Sequence, residues 1–215
     1  MIAAVVAHGD VVPSDRDLAA GADLVIAADG GARALERWGI LPHVAVGDMD
    51  SLGEEGARLL EARGTRIVRH PATKDESDLE LALGYALANG ASEVVLLGVF
   101  GGARLDHALA NAMLLADPRY RDRGVRAVHG TTTVRALFSG ERLALDGPVG
   151  SLVTLLPVRA DAAGVRTGGL GYPLGGETLR FGRSRGLSNV VSATPAWVSL
   201  VEGSLLVIEI REGGT

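Results

Sequence analysis

Short apolar runs recur through the first two-thirds of the chain, at residues 2–7, 24–28, 44–46, 67–68, 94–97 and 125–128, with helical patterns between them. Few folds accept that rhythm. Most of the runs are apolar throughout, as strands covered on both faces by helices must be. Leu79, Ala82, Leu83, Ala86 and Leu87 fall on one face of a helix, and Leu105, Ala108, Leu109 and Ala112 repeat the spacing. The alternation predicts an α/β fold: a doubly wound, mainly parallel sheet with helices on both faces.

From about Thr131 the texture changes. Short β-type runs at 134–138, 142–145, 151–157, 178–181, 196–201 and 205–210 are separated by Gly140, Gly147-Pro148, Gly168-Gly169, Gly175-Gly176 and Glu202-Gly203. Regular turn signals without a long helical pattern predict a smaller C-terminal all-β sandwich or barrel. The expected domains are residues 1–137 and 138–215. Trp197 is expected in the sandwich core or at an interface, and the terminal Gly213-Gly214-Thr215 is expected to fray.

Composition narrows the function classes. With 215 residues, 47% of them hydrophobic, the chain has ample core for one large domain or two small ones. A net charge of −5 argues against nucleic acid as the main partner. The absence of cysteine excludes disulfides, zinc thiolates and cysteine nucleophiles, and is compatible with a reducing cytoplasm. Residues 2–7 are ended early by His8-Gly9-Asp10 and follow no basic segment, so they read as a first strand, not a signal peptide. No run approaches the roughly 18 apolar residues of a membrane span. A cytoplasmic protein without a membrane partner is expected.

The chemistry gathers between Ala45 and Asp78. Gly47-Asp48-Met49-Asp50-Ser51 and Thr73-Lys74-Asp75-Glu76-Ser77-Asp78 hold Asp48, Asp50, Asp75, Asp78 and the chain's only lysine. In open α/β sheets ligands bind beyond the carboxyl ends of the strands, and here the apolar runs deliver Asp29, Asp48, Asp50, Asp78 and Asp106 toward that edge. Bare carboxylates so gathered repel one another. A divalent cation relieves that repulsion, and Mg²⁺ prefers a few carboxylates together with phosphate oxygens and water. Gly30, Gly31, Gly98, Gly101 and Gly102 let backbone N–H groups approach phosphate, while Lys74 and Arg104 can neutralise a transferring group. Together these suggest an enzyme using Mg²⁺ and ATP. Capping competes with each role separately: Asp75 with Asp78, or Asp106, would also serve to open a helix.

Several classes lack their signatures. There is no Gly-x-x-x-x-Gly-Lys-Ser/Thr loop, no Gly-x-Gly-x-x-Gly after the first strand and no Gly-x-Ser-x-Gly elbow. His8, His43, His70, His107 and His129 have no zinc-ligand spacing and read as surface or structural residues, although His107 could orient Asp106.

In order, Asp29-Gly30-Gly31-Ala32, Gly47-Asp48-Met49-Asp50-Ser51, Asp75-Glu76-Ser77-Asp78 and Ala103-Arg104-Leu105-Asp106-His107 resemble the motifs of the thiamine pyrophosphokinase family. Gly169-Leu170-Gly171-Tyr172-Pro173-Leu174 and Gly186-Leu187-Ser188-Asn189 extend the resemblance over nearly the whole chain. It implies transfer of the terminal diphosphate of ATP to the hydroxyethyl oxygen of thiamine, with release of AMP. It implies Asp48, Asp50 and Asp78 as Mg²⁺ ligands, with Asp75 beside them. Asp29, Lys74, Ser77, Arg104 and Asp106 would line the phosphate and nucleophile region, and Gly30 and Gly31 would approach the phosphates. Tyr172, Ser188 and Asn189 are implied to contact thiamine, in a homodimer whose site lies between subunits. Ser77 for the usual threonine, Ala103 for glycine and Tyr172 for a common tryptophan are departures from the pattern. A Mg²⁺-dependent kinase or phosphohydrolase, or a non-catalytic nucleotide- or thiamine-binding module, are the competing readings.

Overall fold

A computed structural model describes residues 1–211. The Gly213-Gly214-Thr215 segment lies outside them. Two compact units divide the chain: Met1–Leu114 with Asp122–Gly130, and Leu115–Arg121 with the described chain from Thr131 on. The strand at 132–138 clusters with the second unit, so the division falls a few residues before the expected 137/138 boundary.

In the first unit, β1 (Ile2–Val6), β2 (Leu24–Ala28), β3 (Val44–Gly47), β4 (Arg66–Arg69), β5 (Glu93–Leu97) and β6 (Val125–His129) form a sheet in the order β6-β5-β1-β2-β3-β4. Every pairing among them is parallel. Helices α1 (Pro13–Ala20), α2 (Ala32–Arg37), α3 (Gly53–Ala62), α4 (Asp78–Ala88) and α5 (Leu105–Leu115) alternate with the strands. The period of two in each strand sorts its side chains between two layers. Ala4, Val6, Val25, Ala27, Ala45, Val95 and Leu97 pack with α1, α2 and α3 residues such as Ala19, Leu35 and Leu60. The apolar stripe of α4 buries Leu79, Ala82, Leu83 and Ala86, and the helix packs across β1, β2 and β3.

The winding runs outward from β1 to β4, then returns to the other side of β1 with β5 and β6. That reversal opens a crevice beyond the carboxyl ends of β1 and β5. It is held by close backbone contact. A Cβ on Gly31 would stand 1.8 Å from the carbonyl oxygen of Val6, so only glycine fits there.

Helix α5 forms where its periodicity places it, but among the described residues its expected apolar face is only partly covered. Leu105 and Leu109 are 70% and 56% exposed, whereas Ala108 and Ala112 of the same face are half-buried. Asn111 is half-buried as well, and its Nδ2 donates to the carbonyl of Val99 at 2.8 Å.

The second unit pairs two antiparallel sheets. β7 (Thr132–Phe138), β9 (Leu152–Pro157), β12 (Asn189–Val190) and β14 (Ser204–Ile210) run in the order β12-β9-β14-β7. β8 (Arg142–Leu145), β10 (Ala162–Gly168), β11 (Gly175–Leu179) and β13 (Ala196–Ser199) run in the order β11-β10-β13-β8. Both contribute to one core, through Leu137, Val153, Leu155 and Val207 on one side and Val165, Leu179 and Val198 on the other. This is the expected sandwich.

Some details differ from expectation. β10 carries no alternating apolar signal because its register against β11 shifts between Ala162 and Val165 and between Val165 and Arg166. Gly175-Gly176, expected as a separator, opens β11. Trp197 is half-buried on β13 beneath the Arg142 guanidinium, 3.8 Å from the ring centroid, and takes no part in the core cluster.

Candidate active site

A cavity of about 540 Å³ opens at the carboxyl edge of the parallel sheet. Each strand end brings it something different. His8 and Gly9 follow β1, Asp29 and Gly30 follow β2, Asp48 and Asp50 follow β3, Lys74 and Ser77 precede α4, and Gly98 to Arg104 lead from β5 into α5.

Asp29, Asp48 and Asp78 converge: each offers a carboxylate oxygen, and these atoms all lie within 4.8 Å of one another. The chain strains to place them. Asp29 and Met49 adopt positive φ of 37° and 66°, and Gly47 has φ 149°. Non-glycine residues occupy such regions only where their surroundings hold them. Asp29 is buried and accepts the N–H groups of Ser51 at 3.2 Å and Leu52 at 3.3 Å. Asp48 accepts the Asp50 N–H at 3.1 Å. The Arg33 guanidinium donates to the carbonyl of Ser51, fastening the same loop from below.

The Lys74 ammonium enters this group, donating to Asp78 Oδ1 at 2.6 Å and lying 3.5 Å from Asp48 Oδ2. Burial pushes the Asp78 carboxyl upward and is reinforced by repulsion from Asp48 and Asp29, while Lys74 pulls the other way; the net direction is up. Burial alone would lower the Lys74 ammonium, but its bonds to Asp78 and Asp48 outweigh that and raise it. An all-carboxylate oxygen set of this size matches the preference of a hard divalent cation.

Ser77 caps α4, its hydroxyl accepting the Glu80 N–H at 3.2 Å, and also faces the cavity. The cap therefore falls to Ser77 and leaves Asp78, the first residue of the helix, free to join the acidic group. Asp50 lines the cavity, but its carboxylate accepts the Ser51 hydroxyl at 3.0 Å and stands outside the three-carboxylate group. Asp75 is exposed in the turn before Ser77 and does not line the cavity. Asp29, expected in the phosphate and nucleophile region, joins Asp48 and Asp78 in the acidic group.

Arg104 lines the cavity and grips Asp106 through two bonds of 2.9 and 2.7 Å. That grip, with the His107 N–H, holds the Asp106 carboxyl far below the usual carboxylate range. Asp106 is exposed and reaches the cavity only through Arg104. Gly30 is part of the wall, whereas Gly31 serves packing against β1.

In the second unit, Asn189 closes a loop. Its Oδ1 accepts the Tyr172 N–H at 3.0 Å and its Nδ2 donates to the Tyr172 carbonyl at 2.7 Å. The Tyr172 ring is 72% exposed, and the Ser188 N–H donates to Thr154 Oγ1 at 3.1 Å. The amide of Asn189 is thus committed to the fold.

Sequence reasoning missed His8 and Asn111 as lining residues. The signal for His8 was present, because it follows directly on the first apolar run.

A doubly wound sheet with clustered carboxylates, a lysine and glycine loops at its carboxyl edge, together with a separate antiparallel sandwich unit, has the parts of an enzyme that handles phosphate groups. The family model described as "Thiamin pyrophosphokinase, catalytic domain" matches residues 16–127, and "Thiamin pyrophosphokinase, vitamin B1 binding domain" matches 143–205. The chain belongs to the thiamine pyrophosphokinase family. The thiamine pyrophosphokinase of Bacillus subtilis (strain 168) is 28% identical over 185 residues, covering 86% of each chain. The crystal structure of the B. subtilis enzyme superimposes with a TM-score of 0.84, at 26% identity, over 99% of this chain and 100% of that one. The structure of the Geobacillus thermodenitrificans enzyme gives 0.82 at 28% identity, over 100% and 99%.

Proposed function

We propose that this chain transfers the diphosphate of ATP to the hydroxyethyl oxygen of thiamine, yielding thiamine diphosphate and AMP. The observation that carries the reading is the convergence of Asp29, Asp48 and Asp78 on one point beside Lys74, in a glycine-walled cavity. Family membership supplies the substrate class.

The all-carboxylate group fits Mg²⁺, which Asp48 and Asp78 with Asp29 would hold and which would supply positive charge against the phosphates. The chain's own residues do the rest. Lys74 and Arg104 balance the negative charge of the transferring diphosphate, and the backbone of Gly30, Gly101 and Gly102 allows close approach of its oxygens. The thiamine hydroxyl attacks the β-phosphorus, its proton passes to an aspartate of this edge, and the bond to the AMP oxygen breaks with its electron pair. Positioning and charge neutralisation supply most of the rate.

Residues 1–137 would act as the catalytic half and 138–215 as the thiamine-binding half, with the exposed Tyr172 ring and Ser188 as thiamine contacts and Asn189 shaping their loop. The family resemblance supports a homodimer, and a cytoplasmic location is part of the same reading. No helix among the described residues is long and apolar enough to cross a membrane.

Incubation with ATP, Mg²⁺ and thiamine, with both products identified by chromatography, tests the reading. AMP with thiamine diphosphate, lost on Asp48→Asn, is expected. ADP or free phosphate would replace it with an ordinary kinase or phosphohydrolase, and binding of thiamine without turnover with a binding module.

A further inference from the structure

His8 occupies a position that its neighbours fix closely. It follows β1, beside the point where the sheet's winding reverses. The Gly9 N–H donates to the carbonyl of Gly98 at 2.6 Å and the Asp10 N–H to that of Phe100 at 2.8 Å. A Cβ on Gly9 would stand 2.5 Å from both oxygens, so the turn is clamped against the loop after β5. The imidazole then lies against Gly30. A Cβ on Gly30 would fall 2.4 Å from His8 Nδ1 and 2.7 Å from Cγ.

The ring is nonetheless exposed, and it lines the cavity. Among the described residues no protein group hydrogen-bonds to either of its nitrogens. His43 shows the contrast: its Nδ1 accepts the Val25 N–H at 2.9 Å, and its role is spent inside the fold. Nor does His8 belong to the group able to hold a cation, which is Asp29, Asp48 and Asp78. An imidazole carries at least one N–H donor in either protonation state. Next to the glycine floor beside the acidic group, the partner such a donor fits is an anionic oxygen.

We infer that His8 donates a hydrogen bond to a phosphate oxygen of the bound nucleoside triphosphate, fixing the phosphate chain along the Gly30 floor. This rests on the nucleotide reading above. It makes His8 a binding residue of the phosphate chain, separate from the acidic group.

Calorimetry with Mg²⁺ and a non-hydrolysable ATP analogue, and with inorganic tripolyphosphate, tests it on wild type, His8→Ala, His8→Gln and His8→Phe, each checked by thermal melting. Loss of one hydrogen bond to a charged group predicts about tenfold weaker binding of both probes by His8→Ala. Recovery of most of that loss by His8→Gln, with unchanged melting temperatures, is also expected. Unchanged affinity in His8→Ala overturns the proposal while leaving the nucleotide site standing. Weakening confined to the analogue and restored by His8→Phe overturns it in favour of stacking on the base. Weakening that tracks a fall in melting temperature reduces His8 to a wedge against Gly30. A wild-type protein that binds neither probe removes the nucleotide reading and this proposal together.

Discussion

The Cα of Gly47 faces the Asp78 carboxyl group so closely that a Cβ there would stand 3.0 Å from both Cγ and Oδ1 of Asp78. The same Cβ would stand 3.0 Å from the Cβ of Asp29. Glycine at the end of β3 is thus what allows two of the converging carboxylates to approach. With φ of 149° adding backbone strain for any other residue, Gly47→Ala is expected to destabilise the fold by about 1–3 kcal/mol. Activity should fall far more than stability predicts. Urea unfolding and steady-state kinetics on one preparation separate the two.

The raised Asp78 carboxyl makes cation binding sensitive to pH. In the metal-free fold its protonated form is favoured relative to the unfolded chain, so the ionised group costs stability at neutral pH, and the cost is relieved as pH falls through the folded value. A bound cation competes with that proton. The rise in melting temperature on adding Mg²⁺ should therefore shrink as pH falls from neutrality toward the carboxylate range, beginning above the ordinary carboxylate value. Differential scanning fluorimetry across that interval measures it.

Gly30 and Gly31 are adjacent but should respond differently to alanine. At Gly31 the added carbon meets the Val6 backbone, which has no room to yield, and Gly31→Ala is expected to prevent folding or to cost more than about 3 kcal/mol. At Gly30 the three nearest atoms all belong to the His8 side chain, which is exposed and able to yield. Gly30→Ala should cost less, and the cost should fall further in a His8→Ala background. A double-mutant cycle on unfolding free energy reads that coupling directly.

Glu209 is a charge inside the sandwich. It is 3% exposed, pairs with Arg135, and accepts the N–H groups of Asp146 at 2.8 Å and Gly147 at 3.0 Å. Truncation to alanine would leave those two backbone donors without a partner and take one of two carboxylates from the Arg135 guanidinium, which keeps Asp146 at 3.1 Å and the Ala144 carbonyl at 2.9 Å. Glu209→Ala is expected to cost about 2–4 kcal/mol in denaturant unfolding, most of it from the buried donors.

Asp117 caps the short helical turn Pro118–Tyr120, accepting the Arg119 N–H at 2.9 Å. The Arg119 side chain, with that N–H, pulls its carboxyl below the usual value against some burial. Its contribution is present above the unfolded value of about 3.9 and is lost as pH falls through the lower folded value. Asp117→Ala should therefore cost about 1 kcal/mol at neutral pH and progressively less in acid, as thermal melts will show.

The parallel sheet was legible in the sequence because doubly buried strands must be apolar without interruption, and the runs around Val5, Ile26 and Leu96 are. The sandwich was legible as a class, but β10 was not, since a shifted register at Val165 dissolves the alternation on which the reading depends. Leu105 and Leu109 show another limit: period 3.6 reveals that a helix has an apolar face, not whether anything in the chain covers it. At the site, one-dimensional spacing grouped Asp50 and Asp75 with their neighbours. Folding adds Asp29 to Asp48 and Asp78, from a different strand and past Gly47, whose missing side chain leaves room for the approach.

The solitary lysine has a practical corollary. Arginine supplies every other fixed cation of the chain, so the chemistry of side-chain primary amines is confined to position 74, where the amine lies between Asp48 and Asp78. A single acylation there, read as one mass increment on one peptide, becomes a footprint of site occupancy. Digestion with a lysine-specific protease likewise offers one internal side-chain cut, at the rim of the cavity. The molecule carries its own reporter group.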